Sequence, residues 1–323
     1  MFQHFPVHAA DYDGPVLVTG AGGCIGSWAL ALLVRAGVPT VAFDLKEDTR
    51  RPKLLMSDTE LAQVRWLTGD IADTKRVREV VESTGARAIV HLAGLQVPFC
   101  KADPVAGAQV NVVGTVNIFE AARALGLKRV AYASSIGALG AIPDSPWGAT
   151  LYGAYKYCNE QTAKVYWQDW KVPSVGFRPG VVYGIGRDQG QTSKTTVALL
   201  ATVGGKPYDI PFIGPVSWLH AGEVASAFLK AVSREREGAP VFDINGISET
   251  VENSIALLKK LEPGMKVTCS GKALPYPMDL SDDPLRAYLG DYGRIELEAG
   301  MRDTLAAFRA LVARGQLDPA SIA

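Results

Sequence analysis

The chain has 323 residues and little in it points to a metal, a disulfide framework or a polyanionic partner. Its four cysteines are Cys24, Cys100, Cys158 and Cys269, and no two stand at C-x-x-C spacing. The four histidines do not complete a ligand pattern beside them. No metal site or disulfide is expected, and reduced thiols are the simpler reading. Lys+Arg is 33 and Asp+Glu is 33, so the net charge is zero. That balance creates no broad field for a nucleic-acid backbone or an anionic membrane surface. Neither partner is expected. No run approaches the roughly 18 apolar residues of a membrane span. The opening MFQHFPVHAADYDG lacks the basic start and apolar core of a signal peptide. A cytoplasmic location is the expectation.

What is present is an alternation of short apolar strands with longer helices. Strands are expected at 15–19, 40–43, 64–67, 88–92, 129–134, 174–178 and 241–244. Helices are expected at 25–36, 74–83, 104–125 and 152–170, with Gly37, Gly85 and Gly126 as stops. Mostly apolar strands separated by helices predict a parallel sheet buried on both faces. The fold class is therefore α/β, a doubly wound parallel sheet of Rossmann type. Beyond Arg178 the pattern loosens into Gly-, Thr- and Pro-rich stretches. Helices are expected there near 195–203, 254–261 and 295–314. We expect residues 1–178, with a returning strand near 241–245, to bind the dinucleotide. Residues 179–323 should form mainly a smaller C-terminal substrate lobe over the carboxyl end of the sheet.

Two motifs carry the chemistry. Gly20-x-x-Gly23-x-x-Gly26 follows a strand and opens a helix. Gly20 permits a tight turn, Gly23 admits a pyrophosphate, and Gly26 lets helix lie close on strand. The helix start at Cys24 and Ile25 supplies free N–H groups and a positive dipole end. Asp44 ends the next strand, where a carboxylate binds ribose hydroxyls and repels a 2′-phosphate. NAD is thus the expected cofactor. Arg50 and Arg51 follow, and a solvated loop is the reading for both. The second motif is Tyr152-Gly153-Ala154-Tyr155-Lys156. Tyr152 and Lys156 share a helix face at i, i+4. An ammonium there should lower the phenol from its usual ~10 and ready it for proton transfer. Tyr155 has Asn159 at i+4 and does not fit.

With these residues the chain resembles the extended short-chain dehydrogenases/reductases, the family of NAD-dependent epimerases and dehydratases. The resemblance runs from about Pro15 to Arg314 and is strongest in the first 185 residues. It implies that Asp70 and Ile71 contact the adenine ring. Leu92, Ala93 and Gly94 would line the cofactor, and Gln96 would face cofactor or substrate. Asn111, in Asn111-Val112-Val113-Gly114-Thr115, would support the cofactor or hold backbone. Ser135 becomes the third catalytic residue with Tyr152 and Lys156, while Ser134 caps the strand end. Pro179 and Val181 would border the cofactor. The family also implies a homodimer through the helices around Asn111 and Tyr166.

One departure bears on the substrate. The family's nucleotide-sugar enzymes read R-x-x-N-x-Y-G after the sixth strand, whereas this chain reads Arg178-Pro179-Gly180-Val181-Val182-Tyr183-Gly184. Gly180 or Val181 stands in place of the substrate-facing Asn. A smaller hydroxylated or carbonyl compound is expected instead, such as a free sugar, sugar acid, polyol or aromatic alcohol. Gln96, Ser135, Gly180, Thr192 and Ser193 are its candidate contacts. The leading reading is a dehydrogenase moving hydride between NAD and a hydroxyl carbon. An epimerase that retains NAD is the second. A non-catalytic NAD(H) sensor is the third, and the complete triad counts against it. His220 as a further base is a remote alternative.

Overall fold

The computed structural model describes residues 1–319; the last four residues of the expected lobe, 320–323, lie outside the described residues. The strands are β1 (Val16–Thr19), β2 (Thr40–Asp44), β3 (Val64–Thr68), β4 (Ala88–His91), β5 (Val130–Ala133), β6 (Val175–Pro179), β7 (Val182–Tyr183), β8 (Pro207–Ile213), β9 (Pro215–His220), β10 (Val241–Ile244), β11 (Ile247–Thr250) and β12 (Lys266–Ala273). The helices are α1 (Cys24–Arg35), α2 (Asp58–Leu61), α3 (Thr74–Thr84), α4 (Val97–Ala102), α5 (Pro104–Ala108), α6 (Gly114–Leu125), α7 (Leu151–Trp170), α8 (Lys194–Val203), α9 (Ala221–Val232), α10 (Val251–Leu261), α11 (Asp283–Leu289) and α12 (Leu297–Ala313).

Seven strands form one sheet in the order β10-β6-β5-β4-β1-β2-β3, and every pairing in it is parallel. The order reverses at β1 and β4, which opens a crevice at their carboxyl ends. Residues alternate across the sheet. Val16 and Val18 face a core with Trp28 and Phe228, while Leu17 faces another with Phe119 and Val80. Leu17, Ile89 and Phe43 are all at most 1% exposed, as a doubly covered sheet requires.

The expected strands and helices are present with small shifts at their ends. The helix expected at 104–125 is interrupted by a π-helical stretch at Gln109–Val113. There Thr115 and Asn159 both donate to the Asn111 carbonyl, at 2.7 and 2.9 Å. Two small sheets, β11-β9-β7 and β12-β8, were not expected. Their strands are short, half-exposed or rich in Pro and Gly, so periodicity gives little signal. Helix α9 packs against α1 and against β4, β5 and β6, covering one sheet face. The core under it runs without a break into α12 through Met301, Leu305 and Phe308.

A buried ion pair joins four elements beneath the crevice. Glu160 of α7 is 1% exposed and accepts from Arg178 of β6 through both carboxylate oxygens, at 2.7 and 2.6 Å. It also accepts from Ser134 at 2.5 Å, and Arg178 reaches Asp243 of β10 at 3.5 Å. Removing one partner of such a pair strands a charge in low dielectric. Arg178→Leu should therefore lower unfolding free energy by about 3–5 kcal/mol, read from the denaturant midpoint at constant slope.

Candidate active site

The carboxyl ends of β1, β2, β4, β5 and β6 open into a cleft of about 820 Å³. Its floor at one end is the Gly20–Gly26 turn. Gly20 has φ +66°, and a Cβ there would come within 2.6 Å of the Ala93 nitrogen. A Cβ on Gly26 would collide with the Gly20 carbonyl. No larger residue fits either position without moving backbone. Asp44 holds the turn, accepting from the Gly22 N–H at 2.9 Å and the Leu45 N–H at 2.8 Å. A carboxylate, a backbone cradle and a helix N-terminus together fit the adenosine ribose and pyrophosphate of a dinucleotide.

The other end holds Ser135, Tyr152 and Lys156. Thr150 caps α7 by accepting from the Gly153 N–H at 3.0 Å. That fixes the first turn, from which Tyr152 and Lys156 project to the cleft. Ser135 follows β5 and its Oγ accepts from the Gly137 N–H at 3.1 Å. Gly137 lies beside both Ser135 Oγ and the Tyr152 ring. Lys156 is 3% exposed and donates from Nζ to the Ala133 carbonyl at 2.8 Å.

Burial pushes the Tyr152 phenol above its ordinary value, while Ser135 and the Arg187 charge act downwards. The expected lowering by Lys156 is not found. Its ammonium stands 5.6 Å from the Tyr152 ring centroid and is engaged by the Ala133 carbonyl. Tyr152 is thus a neutral phenol here, poised to donate. Burial also brings Lys156 down from 10.5 to about 8.

Most expected site residues line this one cleft: Gly20, Gly23, Cys24, Ile25, Gly26, Asp44, Asp70, Ile71, Leu92, Ala93, Gly94, Gln96, Ser135, Tyr152, Lys156, Pro179, Gly180, Val181 and Thr192. Two do not. Asn111 is fully buried behind the wall, where Nδ2 donates to the Leu95 and Gly107 carbonyls at 3.1 and 3.0 Å. It braces the 94–95 turn rather than facing a ligand. Ser193 is 1% exposed and its hydroxyl donates to the Gly190 carbonyl at 2.9 Å. Gly180 offers no side chain and has no room for one, because a Cβ would strike Ser217 Oγ.

Arg51 is not a solvated residue. Its guanidinium donates to Asp188 Oδ1 at 2.7 and 2.9 Å and to the Gly22 carbonyl at 3.2 Å, spanning the cleft mouth. Arg50 is the exposed one, paired with Asp48. The Cys24 thiol is pushed up to about 11 by burial, which disfavours the reactive thiolate. His220 is enclosed by Phe5, Trp28 and Tyr183, and burial holds it neutral with a value of about 3. It is a packing residue. Sequence reading missed Tyr276 and left the loop that begins at Arg187 evenly divided between substrate contact and solvent; both residues line the cleft from irregular segments. Neither lies in a periodic pattern or a motif.

A family model described as "NAD dependent epimerase/dehydratase family" matches residues 16–245. The chain belongs to this family. The family's cofactor is NAD, and the cradle above has the shape and donor set to take it. UDP-glucose 4-epimerase of Mycolicibacterium smegmatis is 29% identical over 227 residues, covering 67% of this chain and 72% of that protein. UDP-glucuronate 4-epimerase 6 of Arabidopsis thaliana is 30% identical over 182 residues, covering 52% of this chain and 40% of the plant protein. The match thus spans less than half of the plant enzyme's length. Among solved structures, L-threonine dehydrogenase of Clostridium difficile aligns with TM-score 0.79 at 19% identity, covering 94% of this chain and 99% of that one. The NAD complex of UDP-glucose 4-epimerase from Thermus thermophilus aligns with TM-score 0.75 at 23% identity, covering 91% and 99%. At these identities the structural likeness establishes the fold. Among the described residues no helix is long and apolar enough to cross a membrane, and no cluster of side chains could hold a metal ion.

Lys156 gives the apo protein a pH signature. Between about 8 and 10.5 the unfolded chain holds a proton here that the folded chain lacks. The Lys156 contribution to stability must then rise with pH across that window. We expect the stability difference between the cofactor-free protein and its Lys156→Met variant to change by about 3 kcal/mol across it, read from denaturant midpoints at several pH values.

Proposed function

We propose that this chain is an NAD-dependent oxidoreductase that moves a hydride at a hydroxyl or carbonyl carbon of a small polar substrate. The observation that carries the reading is the convergence of Ser135, Tyr152 and Lys156 at one end of the cleft whose other end is the glycine cradle. The Gly20–Gly26 turn and the start of α1 hold the pyrophosphate, and Asp44 holds the adenosine ribose. Asp70, Ile71, Leu92, Ala93, Gly94, Pro179 and Val181 border the cofactor along the cleft. When bound, NAD supplies a hydride acceptor, and in reduced form a donor, at its nicotinamide ring.

Ser135 orients the substrate oxygen. In reduction, the neutral Tyr152 phenol donates its proton to that oxygen. In oxidation, the phenolate takes the hydroxyl proton, so burial of Tyr152 makes oxidation faster at higher pH. Lys156 anchors the nicotinamide ribose, while Ser135 and the Arg187 charge are the groups that favour the phenolate. The residues 179–323 serve mainly as the substrate lobe, although α9 and β10 complete the main sheet. Free thiols at all four cysteines suit a cytoplasmic site of action.

A second reading, an epimerase with retained cofactor, draws support from the Arg51–Asp188 bridge, which ties the cradle to the facing loop. Net formation of reduced nicotinamide in solution separates the two. Family membership also supports a homodimer. Val105, Val113, Val165 and Trp170 are exposed apolar side chains along α5, the π-helical stretch and α7. A surface of this kind is covered by a second copy more readily than by water.

Tyr152→Phe removes the proton and keeps the ring. Its turnover number should fall about 10²–10⁴-fold with NAD affinity unchanged. Undiminished turnover in that variant would falsify the assignment. Light scattering should give twice the chain mass for the wild type, and Val113→Asp with Val165→Asp should shift it to one chain.

A further inference from the structure

The Tyr152 end of the cleft is electrostatically one-sided. Lys156 and Arg187 both line the cleft, and the Arg187 charge acts on Tyr152 at this end and on Cys24 in the cradle. The acids that line the cleft are Asp44, Asp48, Asp70 and Asp188. Asp44 is bound to the Gly22 and Leu45 N–H groups at the adenosine end. Asp48 lies against Gly22 and is paired with Arg50. Asp70 follows β3 and caps a local turn through the Ala72 N–H at 2.9 Å. Asp188 is the acid nearest Arg187 in sequence, and Arg51 has claimed it at 2.7 Å. No carboxylate figures among the groups that act on Tyr152 or Lys156.

Among the described residues Arg187 is left without an acid. Its Nη2 donates to Thr192 Oγ1 at 3.1 Å, and its Nε is buried with no partner. The guanidinium and Gln96 Oε1 both lie against Gly190, which has φ +97° and turns the loop towards them. Because Thr192 accepts from Arg187, its own hydroxyl proton is free to point at a ligand. A planar guanidinium with a buried, unpaired N–H, a hydroxyl donor and the Gln96 amide form a receptor for a planar anion.

We infer that Arg187, with Thr192 and Gln96, binds a carboxylate of the substrate, which is therefore a hydroxylated carboxylic acid such as a sugar acid. This deepens the proposed hydride transfer and rests on it for the reaction. An amino acid fits less well, because this end of the cleft supplies no carboxylate for an ammonium. A nucleotide sugar also fits less well, because Gly180 leaves no side chain where Ser217 fills the space. In the oxidising direction the secondary alcohol loses a hydride to NAD⁺ and its hydroxyl proton to Tyr152, giving a ketone or lactone, NADH and one proton. The carboxylate is unchanged throughout.

The test is calorimetric titration of the NAD-loaded full chain with D-glucuronate, D-gluconate, D-glycerate, L-threonine, D-glucose, glycerol and UDP-glucose. It is repeated with Arg187→Gln and Arg187→Lys, alongside turnover on each compound. We expect at least one of the hydroxy acids to bind, and its neutral counterpart to bind at least tenfold more weakly. Arg187→Gln should weaken acid binding at least tenfold, Arg187→Lys should restore part of it, and NAD affinity should stay within twofold. An equal loss of NAD affinity would assign Arg187 to the pyrophosphate and overturn the inference. Binding of UDP-glucose but no acid, abolished by Arg187→Gln, would make the anion a diphosphate and overturn it too. Neutral compounds oxidised equally well by wild type and Arg187→Gln would sink the carboxylate site and leave the hydride reading intact. An acid bound through Arg187 but never oxidised or reduced would do the reverse.

Discussion

The site depends on the buried carboxylate of Glu160. It sits on α7, the helix that carries Tyr152 and Lys156. It is held by Arg178 from β6, whose end leads to Pro179 and Val181, and by Ser134, the residue before Ser135. One ion pair therefore sets the spacing between the proton-transfer helix and the two strand ends that face it. Its desolvation is offset by a two-oxygen interaction and a further hydroxyl, which is the condition under which such a pair is tolerated. Freedom in that spacing would open gaps between Ser135, Tyr152 and the substrate oxygen, and proton transfer is sensitive to small misplacements.

The cleft is polarised along its length. The lining carboxylates lie towards the cradle with Lys46 and Arg51, whereas Lys156 and Arg187 meet no carboxylate among the groups that act on Tyr152. The Arg51–Asp188 pair is what keeps the two regions apart. The sequence reading placed Arg51 in solvent because it weighed neighbours along the chain. The partner stands 137 residues away, where only the fold brings it close.

The central sheet was legible because its strands are short, apolar and bounded by glycine, and its helices have clear stops. The cradle and the Tyr152–Lys156 pair were legible because each packs its chemistry into eight residues or fewer. Asn111 was legible as a residue but not as a role. Its buried contacts to Leu95, Gly107 and Asn159 come from three separate segments. The small sheets and Tyr276 were missed because Pro- and Gly-rich chain gives no period to follow. The protonation of Tyr152 was misjudged for a related reason. Spacing on a helix reported proximity to Lys156, while the ammonium's direction was set by the Ala133 carbonyl on another strand.

The continuous core beneath α9 has a mechanical consequence. Phe228, Met301, Leu305 and Phe308 belong to the same packed cluster as Val16 and Val18 of the first strand. A lobe joined to the sheet in this way cannot swing as a separate body without opening that interior to water. The stretch from Gly186 to Thr192 borders the cleft outside that shared core, and its two glycines hold positive φ. Access to the cleft is therefore set by a local stretch of chain, not by the hinge of a lobe.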